Sequence, residues 1–96
     1  METSIMSTSV LEDEIREFVL GTVIDEMNIL MSRDGITDES PVTVGGLDLD
    51  SLSLIELTLR LESRFGVEIP DTDIEPLASL TLGSLVAEIV RRGAKA

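Results

Sequence analysis

The chain contains no cysteine and no histidine among its 96 residues. Their absence removes disulfides, thiolate catalysis, the usual zinc sites and the commonest general base. Whatever chemistry involves this protein is therefore largely borrowed. Basic residues are scarce too. Seven of them against nineteen acidic ones give a formal charge of −12, which argues against binding nucleic acid phosphates or an anionic membrane and fits a basic protein partner better. No apolar run approaches membrane-spanning length, and the opening METSIMSTS lacks the basic stretch and apolar segment of a signal peptide. The expectation is a soluble, cytoplasmic monomer.

What the chain does have is apolar content. Hydrophobic residues make up 43% of it and its mean hydropathy is positive, so it folds around a core and is not a disordered acidic tail. Its length suits one small domain with no composition shift to divide it. A deep catalytic pocket is hard to build at that size, whereas a compact module on which other proteins act is not.

Along the chain, residues 1–8 are Ser/Thr-rich and aperiodic and read as a flexible tail. Ser9 with Glu12 forms a capping-box pattern. Leu11, Ile15, Phe18, Val19, Thr22 and Met27 then recur at helical spacing, which predicts a first helix over roughly 10–31. Ser32 to Asp50 is a long loop broken by Gly35, Pro41, Gly45 and Gly46, with Ile36, Val42, Val44, Leu47 and Leu49 as apolar anchors that should pack it across the helices.

A second helix is predicted over 51–65, with Asp50 as its N-cap and Gly66 as its end. Leu54, Leu57, Leu61 and Phe65 form one apolar face and Leu52, Ile55 and Leu59 another, with Ser53, Glu56, Arg60 and Ser63 as a narrow polar stripe. Both apolar faces are expected to be buried between neighbouring helices, Leu52 excepted, because a first-turn residue beside a loop is often left exposed. After an extended Val67 to Pro70, Asp71 or Thr72 can cap a short third helix around Ile74 and Leu77, and Pro76 limits its length. Thr81 caps a last helix carrying Leu82, Leu85, Val86, Ile89 and Val90, with Arg91 and Arg92 at its C-terminal end. The predicted fold class is all-α: a small four-helix bundle, three main helices and a short third one, with a long loop between helices one and two. The folded domain should span 9–92, with a flexible C-terminal tail at 93–96.

Ser51 stands where the glycine-rich, acidic loop gives way to the second helix. A nucleophilic serine needs a base, and there is neither a histidine nor a Ser-x-x-Lys arrangement here. Asp48 and Asp50 have the one-apart spacing of a calcium loop, but the glycine and distal glutamate that such a loop requires are not at the right offsets. No metal site is expected. A serine offered to other enzymes as an attachment point remains. A helix N-terminus favours a negative group by ~0.3–1 kcal/mol, so a phosphodiester is tolerated there despite the flanking aspartates.

The stretch DLDSLSLIELTLRLESRFGVEIPD, residues 48–71, resembles the core motif of acyl and peptidyl carrier proteins, and the resemblance extends over nearly the whole chain. It rests on Asp50-Ser51-Leu52, Ile55-Glu56-Leu57, Leu61-Glu62, Phe65-Gly66 and Ile69-Pro70-Asp71, all in one register. The resemblance implies a non-catalytic carrier with 4′-phosphopantetheine, derived from coenzyme A, attached to Ser51 between Asp50 and Leu52. That arm would supply the thiol which the chain lacks. The same resemblance implies a partner-docking surface made of Asp48, Asp50, Leu52, Ile55, Glu56, Leu59 and Ile74. The expected partners are a phosphopantetheinyl transferase together with an acyltransferase, a ligase or adenylating enzyme, or a ketosynthase.

Two departures bear on the subtype. The family often has glycine three residues before its serine, where this chain has Asp48, and Arg60, Ser63 and Arg64 occupy a part of helix two that is acidic in fatty acid carriers. With Met1 and the short tails, they suggest a freestanding carrier of a polyketide or hybrid polyketide and nonribosomal peptide pathway, holding acyl, aminoacyl or peptidyl intermediates. The alternative is an unmodified acidic adaptor that binds a basic protein through helix two.

Overall fold

Apolar residues spaced for helices, separated by glycine, proline and capping residues, produce four α-helices in the computed structural model, which describes the backbone of residues 3–29 and 32–95 and side chains from Ser9 onward. They are α1 (Thr3–Gly21), α2 (Ser51–Phe65), α3 (Ile74–Ala78) and α4 (Leu82–Arg91), and no strand occurs among the described residues. The fold is all-α, as the spacing predicts. Helix α1 packs against α4, and α2 against α3.

The first helix differs from expectation at both ends. It runs from Thr3, so Ser9 lies inside it and the Ser9–Glu12 capping box does not mark its start. At its other end it widens into a π-helical turn, Thr22–Glu26, in which the Met27 N–H donates to the Thr22 carbonyl at 2.8 Å. Asn28 then adopts φ +56°, a left-handed conformation that asparagine tolerates better than most residues and that ends a helix. The expected end near residue 31 is therefore too late, and residues 30 and 31 themselves lie outside the described ones.

Helix α2 matches its predicted span. The Asp50 carboxylate accepts from the Ser53 N–H at 2.8 Å, and Gly66 closes the helix at φ +72°, its N–H donating to the Glu62 carbonyl. Neither Asp71 nor Thr72 caps α3 through its side chain. A 3-10 turn, Asp71–Asp73, leads into it instead, closed by the Asp73 N–H on the Pro70 carbonyl at 2.9 Å. Thr81 caps α4 as predicted, accepting from the Ser84 N–H at 3.2 Å.

The core is contributed by every segment. Ile15, Val19 and Val23 meet Leu54, Leu57, Leu61 and Phe65 of α2, Leu77 of α3, and Leu82, Leu85, Val86 and Ile89 of α4. Phe18 sets its ring edge-on to Phe65 with centroids 5.4 Å apart. Full burial of such side chains stabilises the fold by about 1.5–3 kcal/mol each.

The long loop packs inward through Val42, Leu47 and Leu49, while Val44 does not anchor it and is 86% exposed. Backbone bonds fasten the loop to the start of α4: Val42 N–H to the Leu80 carbonyl, Leu82 N–H to that of Ser40, and Gly83 N–H to that of Asp38. Gly46 is needed where it stands, because a Cβ there would collide with the Pro41 backbone. Beyond α4, the Lys95 N–H donates to the Phe65 carbonyl at 2.8 Å and Ala94 packs on the core, which ties down chain expected to be free.

Candidate functional site

Ser51 is the first residue of α2 and is exposed. The first intrahelical bond is that of the Leu54 N–H to the Asp50 carbonyl, and Asp50 has already taken the Ser53 N–H. The N–H groups of Ser51 and Leu52 thus precede the helix ladder at its positive end. The hydrogen bond from Ser53 also holds the Asp50 carboxyl below its ordinary range, so it stays ionised. A carboxylate held in that way is a weak base. The chain also has no histidine, the commonest base for activating a serine.

Asp48 occupies the position where the family often has glycine. Its backbone is at φ +60°, the left-handed region that favours glycine, and its carboxylate accepts from the Gly45 N–H at 3.1 Å. Aspartate tolerates this conformation because its side chain bonds locally. The departure therefore keeps the loop geometry that glycine would give.

Beside Ser51 a cleft of about 460 Å³ opens between α2 and α3. Leu49, Leu54, Ile74 and Ala78 supply its apolar lining, and Asp71 and Glu75 contribute carboxylates. Ile74 is half-buried here, on α3, apart from the α2 residues with which it is grouped in the expected docking surface. The serine at the mouth, the free helix end and the apolar cleft fit a phosphorylated, flexible group with an apolar extension. Among the described residues no group of His, Cys, Asp and Glu side chains could hold a metal ion.

On the outer surface of α2, Leu52, Ile55 and Leu59 are 76%, 39% and 59% exposed. Burial of this second apolar face between helices is thus corrected for Ile55 and Leu59, since α3 is too short to cover it. Glu56 lies on the same side, but its Oε2 accepts from Arg60 at 2.9 Å, and Arg60 also donates to Glu26 Oε1 at 3.0 Å. These carboxylates, Glu56 foremost, raise the pKa of the Arg60 guanidinium. Asp48, Asp50, Asp71 and Glu75 form no ion pair among the described residues. Of the other cations, Arg16 pairs with Asp13 and Asp38, Arg33 with Glu17, Arg91 with Glu88, and Arg92 with Asp73 and Glu88, whereas Arg64 lies over the Phe65 ring and neither it nor Lys95 forms an ion pair among the described residues. Sequence reasoning missed the role of Glu26. An arginine within helical reach of one acid is visible in the sequence, but a partner 34 residues away is not.

A small helical domain that presents an exposed serine at a helix start is the geometry of a module on which other proteins can act. The sequence matches the family described as "Phosphopantetheine attachment site" over residues 17–89. It is similar to the acyl carrier protein of Rhodococcus erythropolis, 36% identical over 70 residues that make up 73% of this chain and 72% of that protein. The acyl carrier protein of Lactobacillus acidophilus is 36% identical over 78 residues, 81% of this chain and 91% of the relative. The meromycolate extension acyl carrier protein of Mycolicibacterium smegmatis is 36% identical over 70 residues, 73% and 67% of the respective chains. The chain belongs to the phosphopantetheine-binding family of acyl carrier proteins. It is a non-catalytic acyl carrier with covalently attached 4′-phosphopantetheine, served by an enzyme that attaches the arm and by enzymes that handle acyl groups.

Proposed function

We propose that Ser51 is the attachment residue. The exposure of its side chain at the first position of α2, over N–H groups that precede the helix ladder, carries this reading. In the transfer, Ser51 Oγ forms a phosphodiester with the phosphopantetheine half of coenzyme A, and the adenosine bisphosphate half leaves. The serine proton goes to a base of the transferase, since Asp50 is committed to Ser53. When bound, the arm supplies the thiol for thioester formation. The chain's own residues present Ser51, keep the helix end open to the phosphate and offer the cleft to the first part of the cargo.

Docking falls to the surroundings of Ser51. Asp48 and Asp50 attract a basic partner surface, Leu52, Ile55 and Leu59 give it apolar contact, and Ile74 borders it from α3. Charge of this kind sets encounter rate and partner choice more than affinity, which suits a carrier that must let go. Arg60, Ser63 and Arg64 in the later part of α2, where fatty acid carriers tend to be acidic, support a specialised pathway, polyketide or hybrid polyketide and nonribosomal peptide, with acyl, aminoacyl or peptidyl cargo. The protein acts there as a cytoplasmic monomer. No helix among the described residues is long and apolar enough to cross a membrane.

Intact mass spectrometry after incubation with coenzyme A and a broad-specificity phosphopantetheinyl transferase tests the attachment. One phosphopantetheine adduct is expected on the wild type and on Ser53→Ala, and none on a folded Ser51→Ala. An adduct retained by Ser51→Ala would move the attachment to another residue.

A further inference from the structure

The carboxylates that face a partner on this protein are not equivalent. Asp50, Asp71 and Glu75 border the cleft beside Ser51 and have no cation bound to them among the described residues. Glu56, one turn farther along the exposed side of α2, is held by Arg60 at 2.9 Å. Arg60 is not a loose surface arginine. Its other terminal nitrogen bonds Glu26 in the π-helical turn at 3.0 Å, its Nε is buried without a partner, and only 36% of its side chain is exposed.

We propose that Arg60 is a specificity-determining positioning residue: anchored by Glu26, it occupies Glu56 and withdraws that carboxylate from partner enzymes. The inference rests on Ser51 being the attachment residue. Arg60 is already ordered by two carboxylates, so a partner cation aimed at Glu56 must displace a preorganised one and gains little. The docking strip then runs from a cation-binding end at Ser51, through the apolar surface of Leu52, Ile55 and Leu59, to a charge-neutral Glu56–Arg60 pair. The partner it fits carries its basic group close to the Ser51 entrance and an apolar surface beyond it, with no second cation opposite Glu56. Partners that place two cations along the helix are discriminated against.

A double-mutant cycle tests this, with transfer from coenzyme A as readout and, as the enzyme, a phosphopantetheinyl transferase that sets two basic groups along α2, the disfavoured kind of partner. Arg60→Gln is expected to lower the transferase KM for the carrier and leave kcat in place. The cost of Glu56→Gln in KM should be larger in the Arg60→Gln background than in the wild type, by a factor on the order of five, the size of one exposed charge contact. It should shrink as salt rises. Glu26→Gln, which frees Arg60 from its outer anchor and leaves the Glu56 bond, should shift KM in the same direction by less.

An equal cost of Glu56→Gln in both backgrounds, or none in either, would overturn the proposal. So would a kcat effect with KM fixed. If Arg60 repelled partner cations directly, Arg60→Gln would lower KM just as much with Glu56→Gln present, which also defeats it. Failure of the underlying reading looks different: wild-type protein would take up no adduct, or Ser51→Ala would still take one up.

Discussion

Helix α4 hides Leu82, Leu85, Val86 and Ile89 and half-buries Val90, whereas α2 buries Leu54, Leu57, Leu61 and Phe65 and still leaves Leu52, Ile55 and Leu59 in contact with water. Both are capped helices of the same bundle. Folding accounts for every large apolar residue of α4. It does not account for the outer surface of α2, where three large side chains leave between 39% and 76% of their surface exposed. Such an exposed patch, bordered by carboxylates and by the Ser51 helix start, is what a surface used between molecules looks like.

The sharpest way to break this comparison is to truncate one residue of each kind. Ile89→Ala is expected to cost about 2–5 kcal/mol, a large share of the stability of a domain this small, read as a lower urea midpoint. Leu59→Ala should leave the unfolding free energy within about 0.5 kcal/mol of wild type, read as a nearly unchanged urea midpoint, and should instead raise the transferase KM several-fold. If Leu59→Ala destabilised the fold as much as Ile89→Ala, the outer α2 surface would be part of the core after all.

A smaller effect separates the two caps. Thr81→Ala at α4 should cost about 1 kcal/mol at any pH, because a hydroxyl does not titrate in the range of interest. Asp50→Ala at α2 should lower the melting temperature only where Asp50 is ionised. Its folded pKa lies below the ordinary value of 3.8. Its contribution is therefore complete above that value and is lost as pH falls through the folded value. Melting curves from pH 7 downwards should show Asp50→Ala converging on wild type in acid while Thr81→Ala does not. Parallel curves for the two variants would show that the Asp50 contribution does not depend on its charge.

Much of this was legible in the residues. Asp50 and Gly66 bracket α2, Thr81 opens α4, and the buried face of each follows from spacing, because these signals are local and act within one helical turn. The place of Ser51 as the first residue of α2 was legible for the same reason, whereas its reading as an attachment residue rests on the resemblance of residues 48–71 to carrier proteins. What escaped depended on distant parts of the chain. Burial of Ile55 and Leu59 hinges on whether another helix is long enough to cover them, and α3 has only five residues. The end of α1 was placed late because apolar spacing continues through Met27, although Asn28 was there to be read as a stop. Val44 looked like an anchor, but the turn that holds Gly46 against Pro41 aims it outward.

The two fastenings of the α3 segment have a mechanical consequence. At its leading end Asp73 is pinned to α4 by Arg92 at 3.0 Å, and just past its trailing end Leu80 accepts the Val42 N–H from the long loop. A wall of the cleft beside Ser51 is therefore tied to α4 at one end and to the long loop at the other, so the lining residues Ile74 and Ala78 keep their place against Leu54 without a long helix of their own.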